Sequence, residues 1–218
     1  MKHRLLVTRP NFDLTTRYIS TWANKIITLA KEKGSDVFDL DKKRASRKEF
    51  ESMIKKNEPT IVFLNGHGNY DVVTGQDNEE LVRAGDNEKL LKSKVIYALS
   101  CRSGKILGPS SIKAEADAYI GYDEDFIFLY DENKRTRPEQ DKTAEIFLEP
   151  SNQVMVSLLK NHTPKEAHKN SKQSFARKIK KLLSSQSTVL ESSAVRYLIW
   201  NMQHQVCCEG VVTPTARA

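Results

Sequence analysis

Short apolar runs alternate with stretches in which apolar residues recur every three or four positions. Arg4-Leu-Leu-Val-Thr8 is a run of strand length, and Tyr18, Trp22 and Ile26, with Ile19, Ala23 and Ile27 alongside, form the stripe of an amphipathic helix that Gly34 ends. Asp36-Val-Phe-Asp-Leu40 predicts a second strand. Phe50, Met53 and Ile54 give an apolar face to a helix that stops before Pro59. Thr60 to Asn65 reads as the third strand. A polar stretch holding Val72-Val-Thr-Gly75 and a short helix near Glu88 to Leu91 then lead to a fourth strand at Val95 to Leu99. Ala118 to Tyr122 predicts a fifth, and Phe126 to Tyr130 a sixth or a hairpin partner. Strands and helices in this rhythm imply right-handed crossovers and an α/β fold: a mainly parallel sheet of about six strands, covered on both faces.

Beyond that point the pattern turns helical. Val154 to Leu159 carries one helix, and Thr163-Pro-Lys-Glu166 offers a capping box that starts the next. Val195, Leu198, Ile199, Met202 and Val206 mark a last amphipathic helix, with Pro214 to Ala218 expected to fray. No Pro/Gly/Ser-rich or low-complexity stretch divides the 218 residues. The expected organisation is an α/β domain over 1–183, with a C-terminal helix and tail over 184–218 packed on it.

Composition narrows the partners. The longest apolar runs fall far short of the roughly 20 residues that span a bilayer, and Met1 to Arg9 has too short an apolar core for a signal peptide. The expectation is a soluble, cytoplasmic protein with no membrane partner. Cys101, Cys207 and Cys208 are odd in number and two are adjacent, so no disulfide framework is expected. Cys207-Cys208 with His204 is too thin a cluster for zinc, and no metal is expected. The net charge of +7 is unevenly spread: Lys160 to Lys181 holds eight basic residues against Glu166 alone, whereas Glu115 to Glu149 is acidic. Phe175, Ile179, Leu182 and Leu183 fall at helical spacing inside the basic segment, so its lysines read most simply as the solvated face of a helix. An acidic partner or a nucleic-acid backbone on that helix is the other reading.

The candidate chemistry lies in two blocks, Thr60-Ile-Val-Phe-Leu-Asn-Gly-His67-Gly68 and Val95-Ile-Tyr-Ala-Leu-Ser-Cys101-Arg-Ser-Gly104. Each is a strand-length run that ends in a reactive side chain beside small residues, which is how a parallel sheet presents groups at its carboxyl edge. A cysteine attacks as thiolate and needs a neighbouring base, a role His67 would fill before protonating the leaving amine. Backbone N–H groups of Gly68 and Cys101 would hold the oxyanion, and Gly66, Gly68, Ser103 and Gly104 keep the backbone open there. The plain alternatives are a turn histidine and a buried small hydrophobe. Cys207 and Cys208 read as packing thiols, and His3, His162, His168 and His204 as isolated histidines.

An apolar strand ending in His-Gly, followed some tens of residues later by one ending in a small residue and Cys, resembles the caspase-like cysteine peptidases of clan CD. The bacterial CHAT-type and gingipain-like domains are nearest in pattern. Ala118-Tyr-Ile-Gly-Tyr and Ser157-Leu-Leu-Lys-Asn-His-Thr-Pro-Lys-Glu-Ala-His add to the likeness, which runs from about Arg4 to Leu183. The resemblance implies a three-layer caspase-like fold and a thiol protease with Cys101 as nucleophile, His67 as general acid/base and no cofactor. It also implies a protein or peptide substrate and an activating or recruiting protein partner, in a regulated setting such as bacterial defence or cell death. Asp13, Asp123 and Asp125 are the candidates to bind a basic side chain before the scissile bond. Leu99, where caspases carry Gln, argues against an acidic preference, and Arg9 is the residue that would favour one. The alternative is a catalytically silent caspase-like module that binds a partner or nucleic acid through its basic helices.

Overall fold

The computed structural model describes residues 2–184 and 189–210. In chain order its elements are β1 (Arg4–Arg9), α1 (Leu14–Glu32), β2 (Asp36–Asp41), α2 (Arg47–Asn57), β3 (Ile61–Asn65), β4 (Gly68–Asn69), β5 (Val72–Thr74), β6 (Glu80–Arg83), β7 (Val95–Leu99), α3 (Leu107–Lys113), β8 (Ala118–Tyr122), α4 (Lys142–Leu158), α5 (Pro164–Leu182), α6 (Val189–His204) and β9 (Gln205–Glu209). The central sheet runs β2-β1-β3-β7-β8-β9, parallel except for β9 against β8, and β4-β5-β6 form a small antiparallel sheet beside it.

Both faces of the central sheet are buried, which explains why its strands read as continuous apolar runs rather than alternating ones. Leu5, Val7, Phe63, Tyr97, Leu99 and Ile120 meet α1 and α4 on one face. Leu6, Val62, Leu64, Ile96 and Ala98 meet α2, α3 and the small sheet on the other. The chain steps from β1 outward to β2, then returns past β1 to β3. Connections therefore diverge between β1 and β3, and a crevice opens at their carboxyl ends, where α/β sheets hold ligands.

Local chemistry accounts for the element ends. Asp13 caps α1 through a reciprocal pair with Thr16, Ser46 caps α2, and Thr163 and Glu166 form the predicted box on α5. Lys165, Lys169, Arg177, Lys180 and Lys181 are exposed on α5, while Ala167, Ser171, Phe175 and Leu182 are buried. The basic segment is thus the solvated face of an amphipathic helix.

Three expectations are corrected. Phe126 to Tyr130 is extended but joins no ladder: Phe126, Phe128 and Tyr130 pack inward on the core, and the Asn201 side chain takes the place of a neighbouring strand by pairing with both the N–H (2.9 Å) and the C=O (2.6 Å) of Ile127. The sixth strand is instead β9. Its Val206 lies four residues after Met202 and so prolongs the helical pattern in sequence. The chain turns where the Asp123 N–H donates to the carbonyl of His204, and β9 then pairs with β8 while α6 packs on α5. Helix α4 begins a dozen residues before Val154, capped by Asp141, and it carries Pro150 within it. The short helix at Glu88–Leu91 is a 3₁₀ turn. Pro214 to Ala218 lie outside the described residues.

Candidate active site

The register Asn65↔Leu99 between β3 and β7 fixes the site. His67 and Cys101 each lie two residues beyond that pair, so the parallel strands deliver both to one edge. Both line a single pocket with Thr15, Ile19, Gly66, Leu99, Ser100, Phe126 and Phe128. The ends of β1 and β3 are locked by Thr8 and Asn65, whose side chains bond each other's backbone (Asn65 N–H to Thr8 Oγ1, 3.0 Å; Thr8 O–H to Asn65 C=O, 3.1 Å; Asn65 Nδ2 to Thr8 C=O, 2.9 Å). This lock sets the loop after β1 beside the loop after β3.

Its result is a contact the sequence reading did not foresee. The Asp13 carboxylate lies 2.6 Å from His67 Nε2, and Phe12 meets the imidazole edge-on with ring centres 5.9 Å apart. An Nε2–H donated to Asp13 leaves Nδ1 as the basic nitrogen. Burial alone would raise the Asp13 carboxyl, but the Thr16 N–H and His67 outweigh it and hold it below its ordinary value. The helix-capping position is what aims the group: Oδ1 takes the Thr16 N–H at 2.8 Å and Oδ2 faces His67. No local pattern in the sequence ties Asp13 to a histidine fifty-four residues away.

The two other predicted binding carboxylates are also engaged within the chain. Asp125 pairs with Arg102 at 2.7 Å and Asp123 with His204 at 2.9 Å, beneath Trp200. Arg9 is held by Asp39 at 2.6 Å. Each of the three carboxylates already has a hydrogen-bond or ion-pair partner within the chain.

Gly68 sits where the two loops touch. A Cβ there would lie 2.8 Å from the Cys101 carbonyl oxygen and 2.9 Å from Ser100 Cβ. At Gly66 a Cβ would fall 1.9 Å from the Thr74 carbonyl oxygen. A side chain at Gly68 would push the His67 loop away from the Cys101 loop, and one at Gly66 would push it off the Thr74 backbone. The Cys101 loop is tied down by Ser100 and Ser103 (2.7 Å) and by the Tyr119 O–H to Ser103 (2.9 Å). Arg102 takes a left-handed conformation (φ 59°), and among the described residues no acceptor takes the Cys101 N–H.

Cys101 is partly buried. Burial pushes its thiol up and the Asp125 carboxylate adds to this, against the opposing pull of the Phe126 N–H and Arg102. The resting group is therefore a neutral thiol at neutral pH. Alkylation by iodoacetamide, followed at Cys101 by mass spectrometry, is expected to rise steadily through alkaline pH; a plateau reached by pH 6 would instead reveal a preformed thiolate.

Helix α6 also holds the site. Besides the two Asn201 bonds to Ile127, Trp200 Nε1–H donates to the Asp125 carbonyl at 2.9 Å. Together they fix the segment whose Phe126 N–H is directed at the Cys101 sulfur. Asn201→Ala leaves a partly buried N–H and C=O of Ile127 without their partner and is expected to cost about 1 kcal/mol or more. A urea midpoint unchanged from the parent would refute this.

Comparison with known proteins bears on the fold. No protein-family model matches the chain, and no curated protein matches it. Among solved structures, the complex of the pro- and mature domains of RgpB from Porphyromonas gingivalis aligns over 95% of this chain and 47% of that one, with a TM-score of 0.61 and 8% identity. The Arg specific cysteine proteinase gingipain R (RGPB) aligns over 95% and 46%, with a TM-score of 0.60 and 10% identity. The chain spans about half the length of these structures. An inactive C11 protease zymogen from Parabacteroides distasonis reaches a TM-score of only 0.42 and adds nothing. At such identities the likeness is one of architecture: the chain has the three-layer caspase-like fold.

Proposed function

We propose that the chain is a cysteine endopeptidase acting through Cys101 and His67. The carrying observation is the Asn65↔Leu99 register, which brings both residues to one pocket while Asp13 grips the imidazole. In the first half-reaction the Cys101 thiol gives its proton to His67 Nδ1, and the sulfur attacks the peptide carbonyl carbon. The oxyanion is met by the N–H groups of Cys101 and Gly68. Collapse breaks the C–N bond, the amine leaves with the proton from His67, and an acyl thioester remains on Cys101. Water, deprotonated by His67, then attacks the thioester and restores the thiol. Asp13 stabilises the imidazolium formed twice in this cycle and keeps the ring in one tautomer.

The neutral, partly buried thiol supports a resting state of low reactivity that bound substrate raises and that a protein partner would raise further. The solved complex of the RgpB pro- and mature domains pairs a protein of the same fold with a further domain, and a regulated role in defence or cell death is proposed by analogy alone. A silent module binding through the α5 lysines draws support only from their exposure. The Asp13–His67 pairing favours catalysis, since a binding surface has no need of an oriented imidazole. The test is digestion of a peptide mixture by the parent, Cys101→Ala and His67→Ala proteins, with cleavage products identified by mass spectrometry. Products made by the parent alone support the reading, and products made equally by all three overturn it.

A further inference from the structure

Attack by Cys101 places the substrate side chain next to the reacting carbonyl within a few ångströms of the sulfur, so the cavity adjoining the sulfur must receive it. That cavity is open to solvent, and its enclosed part is small, about 20 Å³. Away from His67 and Cys101, its side-chain walls are Ile19, Leu99, Phe126 and Phe128, with two polar groups, the exposed Thr15 and a Ser100 hydroxyl already bonded to Ser103. Ile19 and Leu99 are each 2% exposed and belong to the packed core, so the floor is apolar and fixed. The carboxylates close enough to matter are spent: Asp13 on His67, Asp125 on Arg102, Asp123 on His204. The guanidinium of Arg102 is spent in the same way on Asp125 and Glu124.

We propose that this cavity is a specificity pocket for a short aliphatic side chain, such as Val or Leu, on the residue before the scissile bond. The inference rests on the peptidase reading above. It departs from the basic preference that the acidic residues around the site led us to expect, and from the Arg specificity named for gingipain R. An Arg or Lys entering an apolar floor would lose its hydration and have to compete for carboxylates that already have partners, and an Asp would meet the Arg102 guanidinium already paired with Asp125. A branched aliphatic group would lose nothing and bury its surface against Leu99 and Ile19. The small volume of the cavity, which Phe126 and Phe128 help to line, disfavours aromatic residues. Leu99 and Phe128 are specificity residues on this account, and Thr15 is the position from which charge preference can be rewritten.

The experiment uses peptidyl acyloxymethylketones that differ only in this residue: Val, Leu, Phe, Arg, Lys or Asp. Labelling rates of Cys101 are followed in the parent, Thr15→Asp and Cys101→Ala proteins. The expected result is labelling by Val or Leu at least about 100-fold faster than by Arg, Lys or Asp, and about 10-fold faster than by Phe. Thr15→Asp, an exposed substitution in the first turn of α1 that suits the helix dipole, is expected to raise the Arg rate relative to Leu about ten-fold. Fastest labelling by Arg, Lys or Asp overturns the pocket assignment and leaves the peptidase standing. Equal labelling by all probes also overturns it. No labelling of Cys101 by any probe, while iodoacetamide still reacts there, overturns the peptidase reading itself and the pocket with it.

Discussion

Cys101→Ala and His67→Ala are each expected to lower peptide hydrolysis by on the order of 10⁴-fold or more while leaving the fold intact. The two losses should not add, because each variant breaks the same chemical unit. Removing the sulfur removes the atom that forms the thioester. Removing the imidazole strands a thiol that burial already holds in its neutral form, so the nucleophile is nearly absent at neutral pH. The His67→Ala protein should therefore recover some activity as pH rises and the thiol ionises unaided, whereas Cys101→Ala should not recover at any pH. Neither side chain is part of the packed core, so far-ultraviolet circular dichroism and the urea midpoint should stay close to the parent's. Activity of Cys101→Ala within ten-fold of the parent would refute the assignment of the nucleophile.

Asp13→Asn carries the second large effect, expected at about 10²-fold on kcat, with a much smaller change in KM. Asn is as good a helix cap as Asp, so the bond to the Thr16 N–H survives and the stability of α1 is nearly unchanged. What is lost is the negative charge 2.6 Å from Nε2, together with its power to stabilise the imidazolium and fix the tautomer. A carboxyl held below its ordinary value of 3.8 contributes stability at neutral pH and loses it as pH falls into the range below that value. The parent should therefore lose more stability than Asp13→Asn between about pH 5 and pH 2. Should Asp13→Asn prove as active as the parent across pH, Asp13 is only a cap.

The parallel core was legible because a strand buried on both faces writes itself as an unbroken apolar run; Thr60 to Asn65 and Val95 to Leu99 needed no further information. The positions of His67 and Cys101 followed from those runs, since a parallel sheet must place both carboxyl ends at one edge. The Asp13–His67 contact depends on how far β1 is shifted against β3, which Thr8 and Asn65 decide through hydrogen bonds between side chains and backbone. No local pattern encodes that shift. The partners of Asp123 and Asp125, His204 and Arg102, were equally illegible, because tertiary packing fixes them. Strand β9 was hidden by Val206 falling in phase with the helix before it. Phe126 to Tyr130 showed its true alternation, but an amide side chain on α6 replaced the strand that alternation seemed to require.

The most direct test of the central claim is mass-spectrometric mapping of the parent protein after reaction with a peptidyl acyloxymethylketone carrying Leu before the reactive carbon. The account predicts one adduct, on Cys101, formed at least about 100-fold more slowly in His67→Ala and absent from Cys101→Ala. Adducts spread over Cys101, Cys207 and Cys208 at rates indifferent to His67 would show that Cys101 is an ordinary thiol and contradict the account.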